Sequence, residues 1–555
     1  MPEDARPADA PRRLLRQAGI VGAMTLLSRL TGVLVQITTN GVLGATRIGD
    51  AYQVAWRLPN MLRRFTAEGT MTAALLPTLA EVEARDGESA ARTFVKDFLG
   101  SLAWVLGLLA LAGILAMTPL IGLQMLGKLA PDQSFLHQLQ VFGAVLAGRS
   151  AFPPDVALAT TLARLMFPYL LLVSLTAGMA AVLNLREKFA LAASVSTFFN
   201  LTFLAFAWAW MALLPTWRQP DRAALIFALA VLAGGLVQLL VLVPAYRRLG
   251  FRLQPRLRLS NPDVRLALRR MGPGILAGGI HPINVLVSTS LASQLGDGAQ
   301  TVLNTSNILG ELVLGLFAMS MATVSLPAMS RQAAAGDLEG VRGSYAAALR
   351  GTAFLALPAS VGLAVLASPI VAFLFQRGRF DGAAVAWTAE TLPYQALGIL
   401  FIASARISTQ ALNALKDYRG PAQSALLGFT ANILLSLVLM GPLGTRGMAL
   451  ANSLAGLAGL LYLVHRLRGN LGRLPVRDVG RGWLAMAGAA VFMGLLTTLA
   501  AWLLDLGHHR GTLALALRLF PLMALGALAY FAASATLKLP EAKGLWGMVQ
   551  RKIRK

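Results

Sequence analysis

The chain has no cysteine among its 555 residues. Disulfides, thiolate metal sites and Cys nucleophiles are excluded, although the redox compartment stays open. Histidine is also scarce, with five in all, and no acidic or His cluster has metal-ligand spacing, so neither a metal nor another cofactor is expected. Enzyme motifs are missing too: there is no Walker loop, no Gly-x-Ser-x-Gly elbow and no His-Glu-x-x-His. Charge is sparse. Only 13% of residues are charged and 56% are hydrophobic, whereas a soluble domain carries about 25% charged residues. Acid is the scarcer sign: 25 Asp+Glu stand against 49 Lys+Arg, giving a net charge of +24.

Hydrocarbon is what the chain has in abundance, with a mean hydropathy of +0.63. Apolar runs of about 20 residues recur, each long enough to cross about 30 Å of lipid. They predict an all-α polytopic membrane protein with about fourteen spans, from 14–44 and 48–80 to 482–505 and 511–537. The first dozen residues are polar and basic and lead into a full span, so no cleaved leader is expected.

The basic residues set the orientation. Most fall on segments that share one side if both termini are cytoplasmic, as the positive-inside bias requires. The richest segment, YRRLGFRLQPRLRLSNPDVRLALRR (246–270), has eight arginines and no interleaved aromatics for stacking bases. Topology and attraction to anionic lipid headgroups account for it. Nucleic acid is not an expected partner; membrane lipids are.

Two internal echoes organise the chain. LLPTLAEVEARDGESAARTFVKDFLG (75–100) resembles SLPAMSRQAAAGDLEGVRGSYAAALRG (325–351), and MFPYLLLVSLTAGMAAVLNLREKF (166–189) resembles TLPYQALGILFIASARISTQALNALKDYRGP (391–421). Each later copy lies six spans further on and keeps its membrane orientation. The expected architecture is two six-helix lobes, 1–250 and 251–470, followed by two C-terminal helices and a basic tail in 471–555. Parallel lobes of this kind belong to rocking-bundle transporters, which bind substrate between the lobes.

Span 2 contains AWRLPNMLRRFTAEG (55–69). At 100° per residue Asp50, Arg57, Arg64 and Glu68 fall within about 40° of one another, with Arg63 about 100° round from Arg64. Such a face cannot look at lipid; it lines water or pairs with another helix. Pro59 interrupts the span and is a candidate gate. Span 1 adds Arg29, span 4 Arg164, span 8 Asn307 and Glu311, and span 10 Arg406. Several guanidinium forks at membrane depth point to an anionic ligand such as a phosphate or pyrophosphate. Bland alternatives stand beside this. Arg63 and Arg64 are equally suited to anchoring at the headgroups, Asp50 to capping its helix, and Arg164 and Arg406 to pairing with acids on neighbouring helices. Arg518 fits an interface residue, and His281 a satisfied interior histidine. Without an ATP site, transport has to draw on an ion gradient or the membrane potential.

SRLTGVL (28–34), GDAYQVAWRLPNMLRRFTAEGTMTAALLPTLAE (49–81), MGPGIL (271–276), LPAMS (326–330) and ALKDYRGP (414–421) together resemble the MurJ (MviN) family. These are lipid II flippases of the multidrug/oligosaccharidyl-lipid/polysaccharide exporter superfamily, found in the bacterial inner membrane. The resemblance implies alternating-access transport of a polyprenyl-pyrophosphate-linked glycan, most readily the peptidoglycan precursor lipid II. It implies a cavity group of Arg29, Asp50, Arg57, Arg63, Arg64, Glu68 and Arg406, and a groove for the lipid tail on the last two spans. Two departures stand out. Where the family has Arg-Asp in span 1 this chain has Val35-Gln36, and where it has Asp-Arg in span 8 this chain has Asn307-Ile308, with Glu311 retained. Another lipid-linked saccharide or amphiphile, or a scaffold recruiting cell-wall synthesis proteins, therefore stays open as an alternative; a membrane glycosyltransferase lacks a convincing acid or base.

Overall fold

The structure is a computed structural model that describes residues 10–67, 70–131, 133–278, 280–504 and 511–543. Its side-chain detail leaves out 10–18, 62–67, 70, 72–74, 272–278, 280–282 and 316–324. All named elements are helices. They run α1 (Ala10–Leu43), α2 (Arg47–Ala67), α3 (Thr70–Leu115), α4 (Met117–Gln124), α5 (Leu126–Leu129), α6 (Phe135–Leu146), α7 (Pro154–Met166), α8 (Tyr169–Leu185), α9 (Phe189–Leu213) and α10 (Pro220–Arg248). There follow α11 (Pro262–Gly278), α12 (Ile280–Ala292), α13 (Ala299–Ala334), α14 (Leu338–Val365), α15 (Ala367–Phe375), α16 (Gly382–Ala414), α17 (Arg419–Leu443), α18 (Thr445–Leu471), α19 (Val476–Leu503) and α20 (Thr512–Thr536).

Among the described residues, ten helices are long and apolar enough to cross a membrane. The chain is thus a multi-pass helical membrane protein, though the count of fourteen crossings is not reached by length and apolarity alone. α2 and α16 are not among the ten. They are the helices that carry Asp50 and Arg57, and Gln395 and Arg406. Two helices outside that set thus bear candidate site residues.

The chain forms two compact units, Met1–Gly298 and Ala299–Lys555. In the first, α2 packs on α7 and α8, α9 on α1 and α10, and α8 on both α3 and α10. One core gathers Tyr52, Leu162, Phe203 and Phe227, and a second gathers Phe94, Phe98, Tyr246 and Phe251. The arginine-rich segment lies on α3 rather than hanging free. Arg270 grips Glu81 through both terminal nitrogens at 3.1 Å, Arg85 reaches Asp263 at 2.9 Å, and the Arg258 amide donates to Ser101 Oγ. At Gly100 a Cβ would lie 2.3 Å from the Gln254 carbonyl oxygen, so glycine there is what lets the strap approach.

In the second unit α16 is central, packing on α13, α14 and α18, while α17 packs on α18. α19 lies on α14 and α20. Half-buried Arg350 of α14 donates to Glu541 at 2.6 Å, beyond the end of α20. The outer faces of α19 and α20 expose Leu484, Leu495, Trp502 and Leu517, as lipid-facing helices do.

Both sequence echoes have structural counterparts. α8 and α16 end in the same left-handed turn: Glu187 (φ 57) and Lys416 (φ 61) are each followed by an amide that reaches back five residues, Lys188 to Leu183 and Asp417 to Leu412, both at 2.9 Å. This is a Schellman motif, and a non-glycine residue at its left-handed position is uncommon. The Asp-Gly/Gly-Asp links also share a positive φ, at Gly87 and Gly336. The copies differ at Pro-Tyr. The chain breaks between α7 and α8 at Phe167–Pro168 but runs helical through Pro393.

The turn after α16 is clamped from α18. Asp417 accepts hydrogen bonds from Arg466 Nε at 2.8 Å, Asn470 Nδ2 at 3.1 Å and the Gly420 amide at 3.1 Å. Arg466 foremost holds its carboxyl down at about 2. Because the folded-state value lies below the unfolded one of about 3.9, the clamp's stabilisation is complete above that range and disappears as pH falls through about 2. Asp417→Asn is expected to lower the thermal midpoint by a few degrees at pH 7, and by less as the pH approaches 3, in detergent melts of the two proteins.

Candidate functional site

Arg29 sits on α1, half-buried. Its turn is held by α9: Asn200 Nδ2 donates to the Ser28 carbonyl and to Thr31 Oγ1, both at 3.0 Å. Nothing in the sequence had marked Asn200. The only available signal was a lone amide in the apolar run of span 5. Further along α1, Val35 packs against the first core, and Gln36 donates to buried Asn40 at 2.7 Å.

On α2 the stripe divides by depth. Asp50, in the first turn, is fully buried and accepts the Gly298 amide at 2.8 Å. Lys128 Nζ lies 3.9 Å from the same carboxylate. Arg57, two turns on, is half-buried, beside a wall in which Trp56 stacks on Phe199 with centroids 6.0 Å apart and tilts against Tyr169 at 5.4 Å. Pro59 is buried, and α2 continues through it as helix. The side chains of Arg63 and Arg64 lie outside the described detail, as do Glu68 altogether and the side chain of His281.

Arg164, for which a ligand-facing role and pairing with an acid both stood open, donates to the Ile114 carbonyl at 3.3 Å and to Thr118 Oγ1 at 2.9 Å. Ile114 is in the last turn of α3, whose carbonyls lack helical partners, so the guanidinium closes a helix end. Arg518 does the same for α19, donating to the Leu504 carbonyl at 3.1 Å.

In the second unit Asn307 accepts from Gln395 at 2.9 Å, and Arg406 lies 3.4 Å from Glu311. Arg406 and Glu311 keep 38% and 58% of their side-chain surface. A long contact with that exposure contributes little to stability and is easily exchanged. The first unit offers the half-exposed guanidiniums of Arg29 and Arg57, and the second unit that of Arg406, each on a helix that also carries a neutral amide. That chemistry suits an anion with neutral hydrogen-bonding groups attached. Among the described residues no group of three or more His, Asp or Glu is placed to hold a metal ion.

Residues 39–520 match the family described as "Lipid II flippase MurJ". A probable lipid II flippase MurJ from Vibrio cholerae is 32% identical over 531 residues, covering 94% of this chain and 95% of its own. The lipid II flippase MurJ of Burkholderia cenocepacia is 30% identical over 494 residues, covering 87% and 89%. Among solved structures, a lipid II flippase MurJ in an inward closed conformation superposes with a TM-score of 0.71 at 20% identity, covering 93% of this chain and 98% of that one. An inward-facing multidrug resistance MATE family transporter gives 0.62 at 14% identity, covering 82% and 98%. At those identities the superpositions speak for the fold.

If Asn200 is what fixes the Arg29 turn, Asn200→Leu will speed amide hydrogen exchange in residues 28–35. It will also cost about 1 kcal/mol for each lost hydrogen bond, read as a lower melting temperature.

Proposed function

Because this chain belongs to the lipid II flippase MurJ family, we propose that it carries lipid II from the cytoplasmic to the outer leaflet of a bacterial inner membrane by alternating access. Both termini are cytoplasmic in this reading, which the positive-inside bias supports. It is a transporter rather than an enzyme. The observation that carries the reading is the family match across residues 39–520.

Arg29 and Arg57 of the first unit, together with Arg63 and Arg64, attract the pyrophosphate. Charge-assisted hydrogen bonds from guanidinium to phosphate are the strongest contacts such a head can make short of a metal. In the second unit Arg406 exchanges its loose hold on Glu311 for the substrate, and Asn307 and Gln395 meet neutral sugar or peptide groups. Flexing of α2 at Pro59 opens the lateral path. The last two helices present apolar faces to the polyprenyl tail. Binding shifts the balance of two conformations only by its differential affinity for them, so a gradient or the membrane potential resets the cycle.

One observation favours a second reading. At both places where the family pattern has an Arg and an Asp, this chain has an apolar residue and an amide that bonds another amide, Gln36 to Asn40 and Asn307 to Gln395. A site with fewer formal charges suits a different polyprenyl-linked saccharide.

Complementation of a strain depleted of its own flippase separates the two. Rescue by the chain, abolished by Arg29→Ala while membrane levels hold, is the result expected for lipid II. Absence of rescue despite correct insertion overturns the first reading. Rescue only after Val35→Arg, Gln36→Asp, Asn307→Asp and Ile308→Arg are combined assigns the chain to another lipid-linked substrate.

A further inference from the structure

Lys128 was not marked by the sequence, where it stands at the end of an apolar run, yet it is among the most buried charged side chains of the first unit. Its side chain keeps 6% of its surface, beside Asp50 at 0%. The ammonium also makes a 2.6 Å contact with Asp297 Oδ1, and Asp297 is 64% exposed. One cation thus bridges a sealed carboxylate and an open one.

Asp297 lies between two glycines, Gly296 (φ 93) and Gly298 (φ 91). This Gly-Asp-Gly is the short link between the 3₁₀ turn Ser293–Leu295 and α13, and the first compact unit ends on it. Left-handed backbone on both sides of one residue makes a swivel that few sequences tolerate. The first unit pins it at two points: Lys128 holds the Asp297 side chain, and Asp50 holds the Gly298 amide at 2.8 Å. A third bond, from the Gly127 amide to buried Ser293 Oγ at 3.0 Å, seats α5 against the turn that leads into the swivel. At Gly127 a Cβ would come within 2.7 Å of Gln294, so this seat is close-packed.

We propose that Lys128 is a positioning residue for transport, the clasp that holds the swivel at 296–298 in the conformation seen here and releases Asp297 when the chain changes state. The asymmetry of burial supports that division of labour. Removing the ammonium takes a compensating cation away from the fully buried Asp50 carboxylate, which is costly. Releasing Asp297 returns an exposed carboxylate to water, which costs little. Lys128 therefore stays with Asp50 through the cycle, and the Lys128–Asp297 contact is the one that opens. This adds to the flippase reading but does not depend on which lipid is carried.

The test uses the full chain purified in detergent, with no substrate present. Because the chain has no cysteine, Ala299→Cys places a single thiol at a fully buried position next to the swivel. Its rate of reaction with a maleimide reports opening there. Adding Asp297→Asn is expected to raise that rate roughly fivefold with the melting temperature unchanged, and Asp297→Glu, still anionic, is expected to keep the slow rate. An Asn variant that reacts at the parental rate overturns the proposal. So does a faster rate matched by a fall in melting temperature, which reports general loosening instead. Lys128→Met is not used alone, since taking a cation away from the fully buried Asp50 threatens folding itself. Failure of lipid II complementation leaves these rates unaffected, so the two readings fail separately.

Discussion

A charge held away from water must have a partner or a wet surface, and this constraint orders the polar side chains of the protein. Among the described residues, charged groups within or beside apolar helices meet three outcomes. Asp50 and Lys128 are sealed and paired with each other, so their charges serve the protein's own architecture. Arg57 and Arg406 retain access to solvent, and Arg406 makes a long contact to Glu311. A group already satisfied at short range has little to offer a ligand. Exposure together with a loose partner therefore separates side chains able to receive an anionic headgroup from those that merely resemble them in sequence. Arg164 and Arg518 show a third outcome, in which the guanidinium fork is used on backbone carbonyls at the ends of α3 and α19.

Much of the fold was legible because membrane helices advertise themselves by apolar length, and the internal echoes survived in places where backbone geometry constrains sequence. The Leu-Asn that closes α8 and α16 precedes the same left-handed turn in both copies. Glu187 and Lys416 tolerate a backbone conformation that usually selects glycine, which leaves an audible echo even though the side chains differ. Less legible was the depth of each residue along its helix. Asp50 and Arg57 share a face by angle, yet one is sealed and the other half-exposed. Angular position says which way a side chain points; only tertiary packing says what it meets. The important amide of Asn200 and the ammonium of Lys128 were missed for the same reason, since both stand alone in apolar sequence and acquire meaning from partners about 170 residues distant.

The arginine-rich segment shows how a charge count misleads without a contact map. Read as sequence, 246–270 is a basic stretch drawn to lipid headgroups. In the fold several of its groups are engaged by α3: Glu81 holds Arg270, Asp97 accepts from Asn261, and the Pro255 carbonyl accepts from Trp104. The acidic residues so scarce elsewhere are concentrated on this helix, where Glu81, Glu83, Asp86 and Glu88 sit within a few turns. Positive charge sets topology during insertion, and once the chain has folded the same side chains staple the strap to its neighbour.

The two amide pairs bear most directly on how such a protein can lose charged groups without losing its fold. An ion pair inside a helical bundle contributes little net stability, because desolvation offsets most of the attraction. Replacing Arg and Asp together leaves neither charge stranded. Replacing only one of them would leave the other buried and costly. The observed outcome is the balanced one at both places: Val35 joins an apolar core, and Gln36 finds Asn40; Asn307 finds Gln395. The exchange is therefore nearly neutral for folding, and stability leaves these positions open so long as both charges change together.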